Sequence, residues 1–251
     1  MTVGCSFSLG HGMENENTFT EILRRRLEVP VANFAQNSYS TLQSLQMLER
    51  NADLKPKVII YAFIKDHIRR NLSPCAPSYT PFCFPASYVD FDEQGSPYIH
   101  RPQMRHYQEL NKKFYEYAAL GNFGFDDIIW GAKITLFRLT RSNRLNYSND
   151  SVSRQKSMSY LMNKIIEAAK SIDAVLIVMY IPNLKRGKTK PPPPELLNSL
   201  NRDTIFIDLA PTVIQYDSNQ KNPSLRFAHD SHPNRLTHEL MAREIERVLR
   251  R

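Results

Sequence analysis

The sequence predicts an α/β protein, a three-layer α/β/α sandwich around a five-stranded parallel sheet. Strand-length apolar runs alternate with segments whose apolar residues repeat at helical spacing. Strands that alternate with helices are joined by crossovers, and crossovers build parallel sheets covered on both faces. The alternation breaks once, after the third strand, and then resumes. The reading is one domain over residues 1–251 with an insertion, or lid, over residues 72–147. A chain of 251 residues is long enough to bury a substantial core.

Thr2 to Cys5 opens the chain as a short strand. Thr18 to Leu27 reads as a helix, with Phe19, Ile22, Leu23 and Leu27 at helical spacing and Thr18 and Glu21 placed as a capping box. Val29 to Phe34 is the second strand, and Ser40 to Ala52 the second helix, with Leu42, Leu45, Met47 and Leu48 on its apolar face. Lys57 to Ile64 is a continuous apolar run, the pattern of a strand buried on both faces. Residues 72–105 are rich in Pro, Tyr and Phe and show no period. Residues 106–147 read as largely helical, interrupted at Gly121-Asn122-Phe123-Gly124. An irregular stretch of this length is usually a functional loop or lid. Ser151 to Ser171 is a helix, Ala174 to Ile181 a buried strand and Pro194 to Asn201 a short helix. Thr204 to Leu209 is the fifth strand, and the last helix runs from about Asn234 to Arg250.

Open parallel sheets hold their sites beyond the carboxyl ends of the strands. Ser6, the segment Phe34 to Thr41 and the segment Lys65 to Asn71 follow the first three strands, so they are expected at one edge. The loop with Asp230 and His232, after the fifth strand, returns to the same edge. A serine hydroxyl needs a base to become a nucleophile. Histidine titrates near neutrality, and a carboxylate can fix its tautomer and stabilise the cation that forms. Taken singly, each residue has a plainer reading: Ser6 as a helix cap, and Asp230-Ser231-His232-Pro233-Asn234 as the cap of the last helix.

The two ends read together resemble the SGNH, or GDSL-type, hydrolases. Gly4-Cys5-Ser6-Phe7 with Gly10, followed by Thr18-Phe19, is similar to the first block of a subgroup written Gly-Cys-Ser-Phe. Asp230 to Asn234 is similar to the last block. The resemblance covers the chain outside residues 72–147. It implies a flavodoxin-like arrangement, with Ser6 as nucleophile, His232 as base and Asp230 as its carboxylate, Asp208 being a more remote alternative acid. The second block departs from the family: Ser38 stands where a glycine donates its N–H to the oxyanion, with Asn37 beside it as a side-chain donor. The third block lacks the family's asparagine, and Lys65, His67 or Arg70 are its candidate replacements. His67 and Arg70 have a second reading, as residues that hold the insertion. The resemblance implies an esterase that cleaves an O-acyl, chiefly O-acetyl, ester through an acyl-serine, with acylated carbohydrate as the favoured substrate. Its rivals are an O-acyltransferase acting on a polysaccharide and a non-catalytic carbohydrate-binding relative.

Composition narrows the partners. The formal net charge is +8, spread over several clusters. This fits a solvated basic surface or attraction to an anionic partner, and no nucleic-acid motif singles out DNA or RNA. No apolar run reaches membrane-spanning length. No signal peptide is visible, which reads as cytoplasmic, or as extracytoplasmic if the chain is a domain of a longer protein. Cys75 and Cys83 flank a Pro-rich loop and fit either a disulfide, implying an oxidising compartment, or two reduced thiols. No Cys-x-x-Cys or paired-His pattern is present, so neither a metal nor a cofactor is expected.

Overall fold

The computed structural model describes residues 1–76, 84–101 and 150–250. In chain order the elements begin with β1 (Thr2–Gly4), α1 (Ser6–Leu9), α2 (Phe19–Leu27), α3 (Thr41–Arg50), β2 (Val58–Phe63) and α4 (Asp66–Asn71). Four short strands follow, β3 (Cys75–Ala76), β4 (Phe84–Pro85), β5 (Tyr88–Phe91) and β6 (Pro97–His100). After them come α5 (Ser151–Ser171), β7 (Val175–Tyr180), α6 (Pro194–Leu197), β8 (Ile205–Asp208), α7 (Ala210–Ser218) and α8 (Arg235–Leu249). The chain divides into two compact units, Met1–His67 with Met158–Arg251, and Ile68–Ser157.

The first unit is an α/β unit built on a parallel sheet in the order β1-β2-β7-β8. Gly4 pairs with Ala62, Ala62 with Met179 and Tyr180 with Asp208. Side chains alternate across the pleat. Ile60 and Ala62 join Phe19, Ile22 and Leu23 of α2 and Met241, Ala242 and Ile245 of α8 in one buried cluster. On the other face the Tyr61 hydroxyl donates to Thr41 Oγ1 at the start of α3, 2.8 Å away, and that hydroxyl reaches Met158 Sδ of α5 at 3.8 Å. Helices therefore cover both faces.

The sheet has four strands among the described residues, where the sequence reads five. Segment 29–34 runs beside β1, with Thr2 N–H bonded to Ala32 O and Phe34 N–H to Thr2 O, but it makes a single parallel bridge, Thr2 to Asn33. Two local features stop it. Pro30 has no N–H to give, and Asn33 Oδ1 takes the Ala35 N–H at 3.1 Å, an Asx turn that bends the chain.

The chain ends are joined by α8 lying on α2. His238 Nδ1 accepts the Phe19 N–H at 3.0 Å, satisfying a free donor of α2's first turn, and Arg26 pairs with Glu239 at 2.6 Å. β1 in turn approaches β2 closely because Gly4 has no side chain. A Cβ there would stand 2.9 Å from Ala62 O and 3.0 Å from Ser8 Cβ. Gly4→Ala is expected to cost about 2 kcal/mol through overpacking against a backbone that cannot yield, read as a lower midpoint in urea unfolding.

The second unit holds the antiparallel pair β3–β4 and the hairpin β5–β6, whose turn is held by Asp92 Oδ1 accepting from Gln94 and Ser96 N–H. Both pairs lie in the stretch read as aperiodic. Tyr88, Val89 and Asp90 are buried in succession, so β5 shows no two-residue alternation to find. Cys75 is disulfide-bonded, and its expected partner, Cys83, lies outside the described residues. The helical reading of residues 106–147 lies outside them as well.

Candidate active site

β1 ends at Gly4, and Ser6 opens the four-residue α1 directly behind it. The turn closes at once: Gly10, at φ 86°, caps α1 in the left-handed region and donates its N–H to Ser6 O. A Cβ at Gly10 would meet Thr18 Cγ2 at 2.5 Å, so glycine is required here on both counts. The sharp turn places Ser6, a buried residue only 8% exposed, at the carboxyl edge of the sheet.

The second wall is the loop before α8. Asn234 caps that helix, its Oδ1 accepting from Leu236 N–H at 3.1 Å, and anchors the loop through Nδ2 to Ser224 O at 2.6 Å. Phe227 N–H bonds His232 O, closing the loop on itself. His232 is thus presented toward Ser6, with Nε2 2.8 Å from Ser6 Oγ, and its Nδ1 lies 2.6 Å from Asp230 Oδ1. Burial alone would raise the Asp230 carboxyl, but hydrogen bonds from the His232 ring and backbone outweigh it and hold the group below the usual carboxylate range. An ionised carboxylate only accepts, so the Nδ1 proton points to Asp230, and Nε2 is the acceptor for the Ser6 hydroxyl.

The histidine ring has two aromatic neighbours from the serine's own turn. Phe7 lies 5.3 Å from it and His11 4.5 Å, centroid to centroid. His11, Asp230 and His232 each bring one potential ligand atom to within 4.8 Å of the others, the one such metal-competent group among the described residues. The sequence reading passed over His11, although it stands between Gly10 and Gly12 inside the opening motif.

The remaining candidates fall at different places. Ser38 adopts φ 66°, in the left-handed region that favours glycine. Gln36 N–H bonds Gly4 O, so exposed Asn37 and half-buried Ser38 leave the sheet beside the end of β1. Lys65, exposed, follows β2 at the same edge. His67 turns the other way. It is 0% exposed, its Nδ1 is 2.8 Å from the Tyr61 hydroxyl, and its ring packs on Tyr61 and Phe63 in the core. Arg70 belongs to the second unit. Asp208 ends β8, where its Oδ1 accepts the Ala210 N–H at the start of α7, and the carboxylate bonded to His232 is that of Asp230.

No model of a known protein family matches the chain, and no curated protein matches its sequence significantly. Among solved structures the chain is similar to TesA, at 12% identity and a TM-score of 0.48, over 99% of this chain and 96% of that one. It is also similar to a member of the lipolytic protein G-D-S-L family from Veillonella parvula DSM 2008, at 13% identity and a TM-score of 0.47, over 100% and 97%. Likenesses this distant carry no functional conclusion for the chain.

Proposed function

We propose that the protein is a serine ester hydrolase of the SGNH, or GDSL, type, with Ser6 as nucleophile, His232 as general base and Asp230 as its carboxylate. The observation that carries this reading is the continuous relay of two hydrogen bonds, 2.8 Å from Ser6 Oγ to His232 Nε2 and 2.6 Å from His232 Nδ1 to Asp230. As Oγ attacks the ester carbonyl, its proton passes to Nε2, and the imidazolium is stabilised by the Asp230 carboxylate. Nε2 then protonates the departing alkoxide, the ester C–O bond breaks and the acyl group stays on Ser6. Water attacks the acyl-serine while Nε2 takes its proton. The acid leaves and Ser6 regains its hydrogen.

Oxyanion stabilisation falls to the backbone N–H groups of Ser6 and Ser38, with Asn37, beside the end of β1, and Lys65, after β2, as the assisting side chains we assign. The left-handed backbone of Ser38 supports its part, because that is a conformation glycine ordinarily supplies. The substrate class we assign is a small acyl ester, chiefly an O-acetyl group, on a carbohydrate alcohol. A disulfide at Cys75 favours an oxidising compartment. It keeps a second reading in play, transfer of the acyl group to a surface polysaccharide. Product analysis with and without a sugar acceptor separates hydrolysis from transfer.

The direct test is labelling with a serine-reactive phosphonate followed by peptide mapping. The label is expected on the Ser6 peptide alone; no adduct there, with the chain intact, overturns the reading. Asp230→Asn is expected to lower kcat roughly 100- to 10,000-fold on a chromogenic acetyl ester, because the neutral amide no longer fixes the tautomer.

A further inference from the structure

We propose that His11, Asp230 and His232 form a binding site for a divalent transition-metal ion of the zinc class, and that its occupation shuts the serine off. Two imidazoles and a carboxylate are a donor set such ions favour, and three protein ligands with a fourth position open to solvent is a common zinc arrangement. The three residues come from two elements already fixed in place. His11 ends the serine turn, where its N–H bonds Ser6 O at 3.2 Å. Asp230 and His232 sit in the loop pinned by Asn234. His11 and Asp230 are half-buried and His232 is buried, so an ion can arrive from solvent yet bind among partly desolvated groups.

The geometry needs little movement. Ligand atoms around a tetrahedral ion with bonds of about 2.0–2.2 Å stand roughly 3.3–3.6 Å apart. The three donors are already within 4.8 Å of one another, so side-chain tips must shift by on the order of 1 Å. The ion must take one of the two ring nitrogens of His232, and both are engaged in the relay, Nδ1 with Asp230 and Nε2 with Ser6. A metal on Nδ1 displaces the hydrogen bond to Asp230, and a metal on Nε2 displaces the one to Ser6. Either way the relay is cut and the ring cannot take the serine's proton. His11 is what distinguishes this site from a bare His–Asp pair, since a third ligand makes an ordinary catalytic dyad a chelate.

Metal binding stands on these three residues alone; the shut-off rests on the hydrolase reading. Titration calorimetry with Zn2+, and visible absorption with Co2+, are measured on the full chain. One ion per chain is expected, with a tetrahedral Co2+ spectrum. His11→Gln and, as a second variant, Asp230→Asn are each expected to weaken it at least about tenfold, the least that loss of a direct ligand should cost. His229→Gln, which changes an exposed neighbour outside the set, retains wild-type affinity. In the chromogenic ester assay, Zn2+ lowers wild-type turnover over the range in which it binds, and a chelator restores it. His11→Gln needs at least about tenfold more Zn2+ for the same fractional loss, each variant scored against its own metal-free rate. No saturable binding by wild type, or equal binding by His11→Gln, overturns the site. Saturable binding that leaves turnover unchanged overturns the shut-off. Binding intact in a chain with no esterase activity supports the site and removes the hydrolase reading instead.

Discussion

Ser6→Ala is expected to lower kcat on a chromogenic acetyl ester at least about ten-thousandfold, leaving only what substrate binding and oxyanion donors supply without a nucleophile. The substitution removes one oxygen and leaves the surroundings in place. Gly10 and His11 bond the Ser6 carbonyl, not its side chain, and the hydroxyl's partner is His232 Nε2. Stability should therefore change by only about 1 kcal/mol, and circular dichroism should overlay wild type, so a loss of rate cannot be ascribed to unfolding. KM should move little, because the substituted atom forms its bond to the substrate in the chemical step. Phosphonate labelling should vanish in the same variant. Equal turnover by Ser6→Ala and wild type would remove catalysis by this serine and leave the non-catalytic carbohydrate-binding reading.

The geometry behind that expectation was legible in the sequence at its ends and much less so in its middle. β2 and β7 are buried on both faces, and their unbroken apolar runs announce them; β8, at the sheet edge, buries only Ile207 fully but keeps the apolar run Ile205-Phe206-Ile207. The Gly-Cys-Ser-Phe and Asp-Ser-His-Pro-Asn stretches carry their own turn and cap chemistry, so their local form follows from composition. Segment 29–34 misled because its apolar residues imply a strand, whereas Pro30 and the Asn33 turn limit it to one bridge. α7 was unread because Pro211 and a short apolar pattern give little period over nine residues. His67 reads as polar and edge-placed, and only the packed rings of Tyr61 and Phe63 show it belongs to the core. His11 could not be joined to Asp230 and His232 from sequence, because it has no ligand spacing of its own there, and only the α1 turn capped by Gly10 brings its ring against that of His232.

The packing of α8 on α2 makes the protein's stability sensitive to acid at one identifiable residue. His238 is 0% exposed, and burial pushes its imidazole down from 6.5 to about 4. Its Nδ1 accepts the Phe19 N–H, so the ring's proton sits on Nε2, which has no partner among the described residues. Protonating Nδ1 would end that acceptor and orphan the Phe19 N–H inside the unit. The native state therefore resists the proton while the unfolded chain accepts it. Above the unfolded value of 6.5 both states are neutral and the residue contributes no pH dependence. As pH falls from about 6.5 toward about 4 the unfolded chain binds more protons, and stability falls; below about 4 both states are charged and the loss levels off. The gap between 6.5 and about 4 corresponds to about 3 kcal/mol. His238→Gln keeps an acceptor for Phe19 N–H without titrating. Its free energy of urea unfolding is expected to be lower than wild type's near neutrality, through poorer packing, yet to fall about 3 kcal/mol less between about pH 7 and about pH 4. Carboxylates and exposed histidines titrate alike in both proteins and cancel in that difference. Parallel stability curves for the two proteins across this interval would show that His238 is not the residue that couples the α2–α8 junction to acid.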